Sequence, residues 1–392
     1  MGLCYFSGSI STFFNINELQ NVFICLSTIF LASSIYMIPM IQLKRQLLFK
    51  EIVKIDIIKD IFNIGIALIL ALLGWGYWSI ISGQIGSYFI ATLLIRKKTQ
   101  WTPRVMFNQK AFRALKGVAL WNFCVVQVNL LAEQMDKLLI GKFLGPSQLG
   151  FYDKAFSIGN MPLMFISRNI SSVAFSTFSR HQDDQFSLGY YLSRFMVLNT
   201  IVSFPFYIGL FSIADQFVLV FLGGKWGPMI PSFKILLLAF MISSVTAIID
   251  NLNLSCGYHR QLAKFRIVST LFLVAGLFGA VKISIEAVCV TIIAYYAILL
   301  IGSLFIVQKI VSLGYREVAR LLFPAISGSL VIFISVKLAE KLWLPHLTFF
   351  DLLMLIGIGA LSYCLYMIVL NFENCRFIRS EMISFMGKIL KR

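Results

Sequence analysis

Residues 285–308 read IEAVCVTIIAYYAILLIGSLFIVQ. One carboxylate, Glu286, stands at the start of the run, and Lys282 and Lys309 flank it. Everything between is apolar or weakly polar. An α-helix rises about 1.5 Å per residue, so roughly 20 such residues cross the hydrocarbon core of a bilayer. The run is long enough and apolar enough to be a membrane-spanning helix.

Working outward, the same pattern recurs from end to end. Candidate spans fall at 19–43, 55–73, 77–95, 117–140, 150–178, 192–222, 232–256, 264–281, 285–308, 319–341 and 348–371. Several contain proline (Pro39, Pro162, Pro205, Pro324). Packed membrane helices tolerate it because neighbours re-satisfy the freed backbone groups. The fold class is therefore all-α, a polytopic membrane protein of about eleven transmembrane helices.

Composition agrees. The 392 residues are 59% hydrophobic and 13% charged, with a mean hydropathy of +0.85. A soluble domain carries about 25% charge. The net charge of +17 would suggest nucleic acid on a soluble protein. Here the basic residues sit in short loops between apolar runs, so no nucleic-acid partner is expected. Assigning alternate loops to alternate sides puts 25 Lys and Arg on one side and 7 on the other. That asymmetry places the heavily basic loops in the cytoplasm. The C-terminus is then cytoplasmic and residue 1 extracytoplasmic. The start has no basic n-region, and the first basic residue is Lys44. An outside start without a signal peptide is expected if an odd number of spans is missing upstream. Segment 44–60 (KRQLLFKEIVKIDIIKD) mixes apolar and basic positions at helical spacing. It reads equally as a helix on the cytoplasmic surface or as a charged extension of the next span.

Ionisable groups at membrane depth are costly, so they face a cavity or a partner. In 117–140, Asn122, Asn129, Glu133, Asp136 and Lys137 share an arc of ~100° at the angular step of a uniform helix. In 150–178, Asp153, Ser157, Asn160, Arg168 and Ser171 share an arc of ~80°. In 232–256, Ser243, Thr246, Asp250 and Asn253 line up likewise. Helices with one wet face are what line a hydrophilic passage. The blander reading is that single Asn and Ser residues tie helices together by hydrogen bonds. An arginine at such depth suits a phosphate or pyrophosphate, because its fork donates two hydrogen bonds.

Other chemistries find no support. The seven cysteines form no C-x-x-C pair and the three histidines are scattered, so no metal site is expected. No phosphate-binding G-x-x-x-x-G-K-[ST] loop occurs. Neither a G-x-S-x-G elbow nor a metalloprotease pattern is present. The loops are short, with no large extracytoplasmic loop to carry a polymerase or ligase site. No cofactor is expected, and the chain is not expected to be an enzyme.

Several strings carry a resemblance: Gln42-Leu43-Lys44-Arg45-Gln46-Leu47-Leu48-Phe49-Lys50, Gly74-Trp75-Gly76-Tyr77-Trp78-Ser79, and Asp136-Lys137-Leu138-Leu139-Ile140-Gly141-Lys142-Phe143-Leu144-Gly145. Leu149-Gly150-Phe151-Tyr152-Asp153-Lys154-Ala155, Phe178-Ser179-Arg180-His181-Gln182-Asp183-Asp184 and Leu222-Gly223-Gly224-Lys225-Trp226 follow. In that order and spacing they resemble the Wzx-type polysaccharide flippases of the multidrug/oligosaccharidyl-lipid/polysaccharide exporter superfamily, over about residues 15–310.

The resemblance implies two six-helix bundles facing a central cavity. The chain then divides into a partial three-helix bundle at 1–98, a basic cytoplasmic linker at 99–116 and a six-helix bundle at 117–310. Two additional helices at 311–371 and a basic cytoplasmic tail at 372–392 complete it. Three helices would be absent from the first bundle. It also implies a bacterial inner-membrane location and alternating-access flipping of undecaprenyl-pyrophosphate-linked oligosaccharide for O-antigen, capsule or colanic-acid assembly. Asn122, Asn129, Lys137, Asn160 and Arg168 would line the substrate path. Glu133, Asp136 and Asp250 would carry a coupled proton or sodium ion. Membrane lipids and other polysaccharide-assembly proteins are the further partners implied. A cation-coupled multidrug exporter of the same superfamily is the main alternative, and a membrane polysaccharide polymerase or ligase a third.

Overall fold

The computed structural model describes residues 2–16, 18–46, 48–99, 109, 130, 133–311, 313–343 and 348–369. Among these residues all regular structure is helical. The helices are Gly2–Phe14 (α1), Leu19–Arg45 (α2), Phe49–Leu72 (α3) and Trp78–Thr99 (α4). Next come 133–143 (α5), Pro146–Pro162 (α6), Arg168–Arg180 (α7), Gln185–Ser212 (α8) and Ala214–Phe217 (α9). The last five are Ile230–Ser255 (α10), His259–Ala280 (α11), Ile285–Val307 (α12), Tyr315–Trp343 (α13) and Phe349–Val369 (α14). A π turn, Leu163–Ser167, joins α6 to α7 without a break.

Eight of the described helices are long and apolar enough to cross a membrane. Two further expected spans are long helices with a more polar make-up: α3, and the continuous rod from Pro146 to Arg180. Most of the expected span 117–140 lies outside the described residues. Side chains such as Phe30, Leu72, Phe272 and Leu361 point outward, all more than 60% exposed. An exterior of that kind suits hydrocarbon rather than water.

The elements depart from the expected spans in instructive ways. Helix α1 was not anticipated, because its 13 residues rise only about 20 Å and do not register as a span-length run. Segment 44–60 is not a separate surface helix. Helix α2 ends at Arg45, and α3 runs unbroken from Phe49 to Leu72. The expected run 192–222 starts earlier, at Gln185, because Asp184 caps α8 by accepting from the Phe186 amide at 3.0 Å. It also ends earlier, at Ser212, and the apolar residues beyond fold into α9 and a second π turn, Val218–Leu222. Apolarity marks the depth at which a residue sits, not where the helix holding it begins or stops.

The chain separates into two compact units, Met1–Cys124 and Val125–Arg392. In the first, α2 and α3 both pack on α4. Its small core is Tyr36, Leu43, Ile52, Ile55, Ala91 and Ile95. The Tyr36 hydroxyl donates to Asp56 Oδ1 at 3.0 Å, and Lys98 meets Glu51 at 3.0 Å. In the second unit α10 is the central element, packed against α6, α7, α8 and, most extensively, α12. The α13–α14 hairpin lies along α8, where the Tyr363 hydroxyl donates to the Ile201 carbonyl at 2.8 Å.

Inside a bilayer, burying apolar surface does not by itself drive helices together, so close packing and interhelical hydrogen bonds must. Three asparagines supply such bonds. Asn199 donates to the Ser244 carbonyl, Asn251 to that of Ser171 and Asn253 to that of Ser303, each at 3.1 Å. Each bond contributes on the order of 0.6 kcal/mol, up to about 1.7. They fasten α8, α7 and α12 to α10.

Candidate functional site

The polar groups of the second unit gather in two clusters joined by a seam. The seam lies between α10 and α12. Ser232 lies beside Cys289, Ser243 beside Tyr296, and Asp250 bonds Ser303. Residue numbers rise together on both helices, so α10 and α12 run in the same direction. On α12 the partners are spaced by seven, and so are Ser243 and Asp250 on α10. A seven-residue repeat keeps side chains on one line when two helices cross at a shallow angle.

The first cluster sits where α5 and α6 face the early turns of α12. Leu144 and Gly145 form the hairpin between α5 and α6. Gly145 has φ +89°, a conformation open to glycine and rare for other residues. The hairpin sets Asp136 against Tyr152, and the buried Tyr152 hydroxyl donates to the buried Asp136 carboxylate. The Lys137 backbone amide donates to the other carboxylate oxygen at 2.8 Å. Lys137 Nζ turns away to Asp153 at 2.6 Å and lies 5.1 Å from the centre of the Phe156 ring. Glu133, one turn earlier, is exposed and enters no ion pair among the described residues. Tyr296 lies near both Asp136 and Glu133.

At the loop end of this cluster Trp226 packs edge-on against Phe151, their centres 6.0 Å apart. Lys154 and Lys225 both approach the Trp226 ring at 5.9 Å. Two sequence strings far apart, 149–155 and 222–226, are thus parts of one contact.

The second cluster sits near the other end of α10. The Asp250 side chain, 7% exposed, receives Arg266 Nη2 at 2.5 Å and Ser303 Oγ at 2.5 Å. Asn253, one turn on, is fully buried, and its Oδ1 has no partner among the described residues. Cys289, beside the first cluster, and Ser303, in the second, are fourteen residues apart on α12, so the clusters are about 21 Å apart along the helix.

The expected site residues are therefore only partly assembled. Glu133, Asp136 and Lys137 share the first cluster. Asp250 stands in the second, apart from the other two carboxylates. Asn160 is half-buried on α6, and Arg168 is exposed at the start of α7. Asn122 and Asn129 lie outside the described residues. The single arc expected for Asp153 through Ser171 is broken. The π turn inserts one extra residue, which rotates everything after it by roughly one helical step, about 100°, relative to a uniform helix. Arg168 thus leaves the line of Asp153 and Asn160, while Ser171 turns inward and is buried. Tyr152, Arg266 and Ser303 were not anticipated. Arg266 counts among the cytoplasmic-side cations in the charge tally, at the very start of the expected span 264–281, whereas α11 begins at His259 and carries it about two turns into the helix. The seven-residue spacing of Cys289, Tyr296 and Ser303 in an otherwise apolar run is the signal that was legible.

These features define a multi-pass α-helical membrane protein with buried polar clusters along its helix seams. The fold matches that of the lipid II flippase MurJ in its inward closed conformation, with a TM-score of 0.72. The likeness covers 97% of this chain and 80% of that one, at 15% sequence identity, and it fixes the fold. The chain belongs to the family described as "Polysaccharide biosynthesis protein", whose model matches residues 1–231. It is 26% identical over 231 residues to the teichuronic acid biosynthesis protein TuaB of Bacillus subtilis, covering 58% of this chain and 47% of that protein. It is 24% identical over 197 residues to the succinoglycan biosynthesis transport protein ExoT of Rhizobium meliloti, covering 50% and 40%. With the lipopolysaccharide biosynthesis protein WzxC of Escherichia coli the identity is 26% over 192 residues, covering 48% and 39%. The chain spans less than half the length of these curated relatives.

Proposed function

We propose that the chain acts in a transporter that flips undecaprenyl-pyrophosphate-linked oligosaccharide across the inner membrane during surface-polysaccharide assembly. The observation that carries this reading is the coincidence of two independent likenesses. The sequence belongs to a polysaccharide-biosynthesis family, and the fold is that of a protein titled a lipid II flippase. Lipid II flippase and succinoglycan transport protein are titles of relatives, and both concern moving material rather than making bonds. We therefore read the chain as a transporter and not a polymerase or ligase, with its basic loops and C-terminus in the cytoplasm.

In this reading the sugar and pyrophosphate travel along polar helix flanks while the prenyl tail stays in lipid, and the protein alternates access. Arg168 suits the pyrophosphate, because its guanidinium is exposed and meets no carboxylate among the described residues. Asn160 would add an amide on the same rod. Lys137 is already held by Asp153, so it takes part only if that pair opens. Glu133 is the exposed carboxylate and the best placed to exchange a proton or sodium ion. Asp136 and Asp250 would join the coupling when Tyr152 and Arg266 let go of them.

The test is Arg168→Gln in the native gene, with surface polysaccharide and membrane protein level measured together. Loss of polysaccharide at unchanged protein level is expected. Wild-type polysaccharide would remove the role given to Arg168. Dye efflux that depends on the gene, with polysaccharide intact, would instead favour a drug exporter.

A further inference from the structure

Between α11 and α12, at the end where α13 begins, the second unit carries a groove of about 540 Å³. Its walls are Phe265, Ile298, Ile301, Phe305 and Ile306, and Gln261, Lys309 and Tyr315 stand at its mouth. Gly302 makes the groove possible. The Phe265 ring lies directly on the Gly302 backbone, where a β-carbon would collide with it. Any larger residue at 302 would push that ring outward into the groove.

We propose that this groove is a binding site for an anionic phospholipid, with one acyl chain in the slot and the phosphate at Lys309. Three features identify the occupant. The first is depth. From Ile298 to Val307, the end of α12, is nine residues or about 14 Å, and Lys309 stands just beyond, so the slot reaches through about half the roughly 30 Å hydrocarbon core, the thickness of one leaflet.

The second is lining. Phe265, Ile298, Ile301, Phe305 and Ile306 give the groove apolar walls, which suit a hydrocarbon chain and leave only its mouth for a polar headgroup.

The third is charge. Lys309 is exposed, lies 5.0 Å from the Phe305 ring centre and pairs with no carboxylate among the described residues. Arg260, Lys264, Arg316 and Arg320 belong to the same end of the unit. The Gln261 amide and the Tyr315 hydroxyl can add hydrogen bonds to a phosphate.

The site is testable on the purified full chain by native mass spectrometry. Phosphatidylglycerol is offered against phosphatidylcholine with identical acyl chains, and then against a polyprenyl phosphate. Phosphatidylglycerol is expected to be retained about fivefold more than phosphatidylcholine, the preference one lysine confers beside an anionic headgroup. Lys309→Gln should sharply reduce the preference and Lys309→Arg should keep it. Both changes fall on an exposed side chain that packs little, so folding is not at issue. Ile301→Trp, filling the slot, should reduce retention of both phospholipids. Three results would each overturn the proposal: equal retention of the two phospholipids, indifference to Lys309→Gln, or displacement of phosphatidylglycerol by equimolar polyprenyl phosphate.

Discussion

Removing Arg266 should unmask a buried charge. Asp250 is almost fully enclosed, and its two oxygens are met by Arg266 and by Ser303 at 2.5 Å each. In Arg266→Met the carboxylate keeps one hydroxyl and loses its counter-ion. Breaking a fully buried pair costs about 3–5 kcal/mol. Here the Arg266 side chain is half exposed, so water already screens part of the attraction, and about 2 kcal/mol is the expected loss. Asp250→Asn should cost less, because the freed guanidinium can turn to solvent or headgroups. The double variant should recover most of the stability lost in Arg266→Met, giving a coupling energy of about 1–2 kcal/mol. Thermal unfolding of the four purified proteins in one detergent orders them: wild type highest, Arg266→Met lowest, the double variant between. If Arg266→Met unfolded with wild type, or the double variant were no better than Arg266→Met, Asp250 would not be a charge that needs Arg266.

Tyr152→Phe removes the side-chain donor to the buried Asp136 and should destabilise by about 1–3 kcal/mol, with Asp136→Leu in the same chain restoring much of it. The same detergent unfolding assay measures both. Gly302→Ala drives a β-carbon into the Phe265 ring and should cost about 1–3 kcal/mol, with Phe265→Leu as a second-site rescue. At the start of α8 the Ser187 hydroxyl and nearby backbone amides hold the Asp184 carboxyl below the usual carboxylate range. A lowered pKa means the cap stabilises fully above the ordinary carboxylate pKa and is lost as pH falls through the lowered one. Hydrogen exchange in the first turn of α8, corrected for its intrinsic pH dependence, should rise only in that acidic window. Asp184→Asn should flatten the profile.

Much of the fold was legible because membrane depth writes itself into sequence as runs of apolar residues. Helix α12 coincides with the run at 285–308 to within a residue. The short α1 escaped because it does not reach span length, and the loop after Ser212 escaped because it stays apolar while leaving the helix. The candidate site was legible only in part. Helical arithmetic placed Glu133, Asp136 and Lys137 together, since α5 is a regular helix. It failed at Arg168, because nothing in LMFIS announces a π turn. It could not foresee that Tyr152 and Arg266 would hold Asp136 and Asp250, since those partners come from other helices.

The transport reading is tested most directly by following the lipid-linked oligosaccharide itself. After depletion of the protein, the carrier-linked repeat unit should build up on the cytoplasmic face of the inner membrane, closed to a periplasmic probe, while surface polysaccharide falls. Repeat units that still reach the periplasmic face at the wild-type rate would contradict the account.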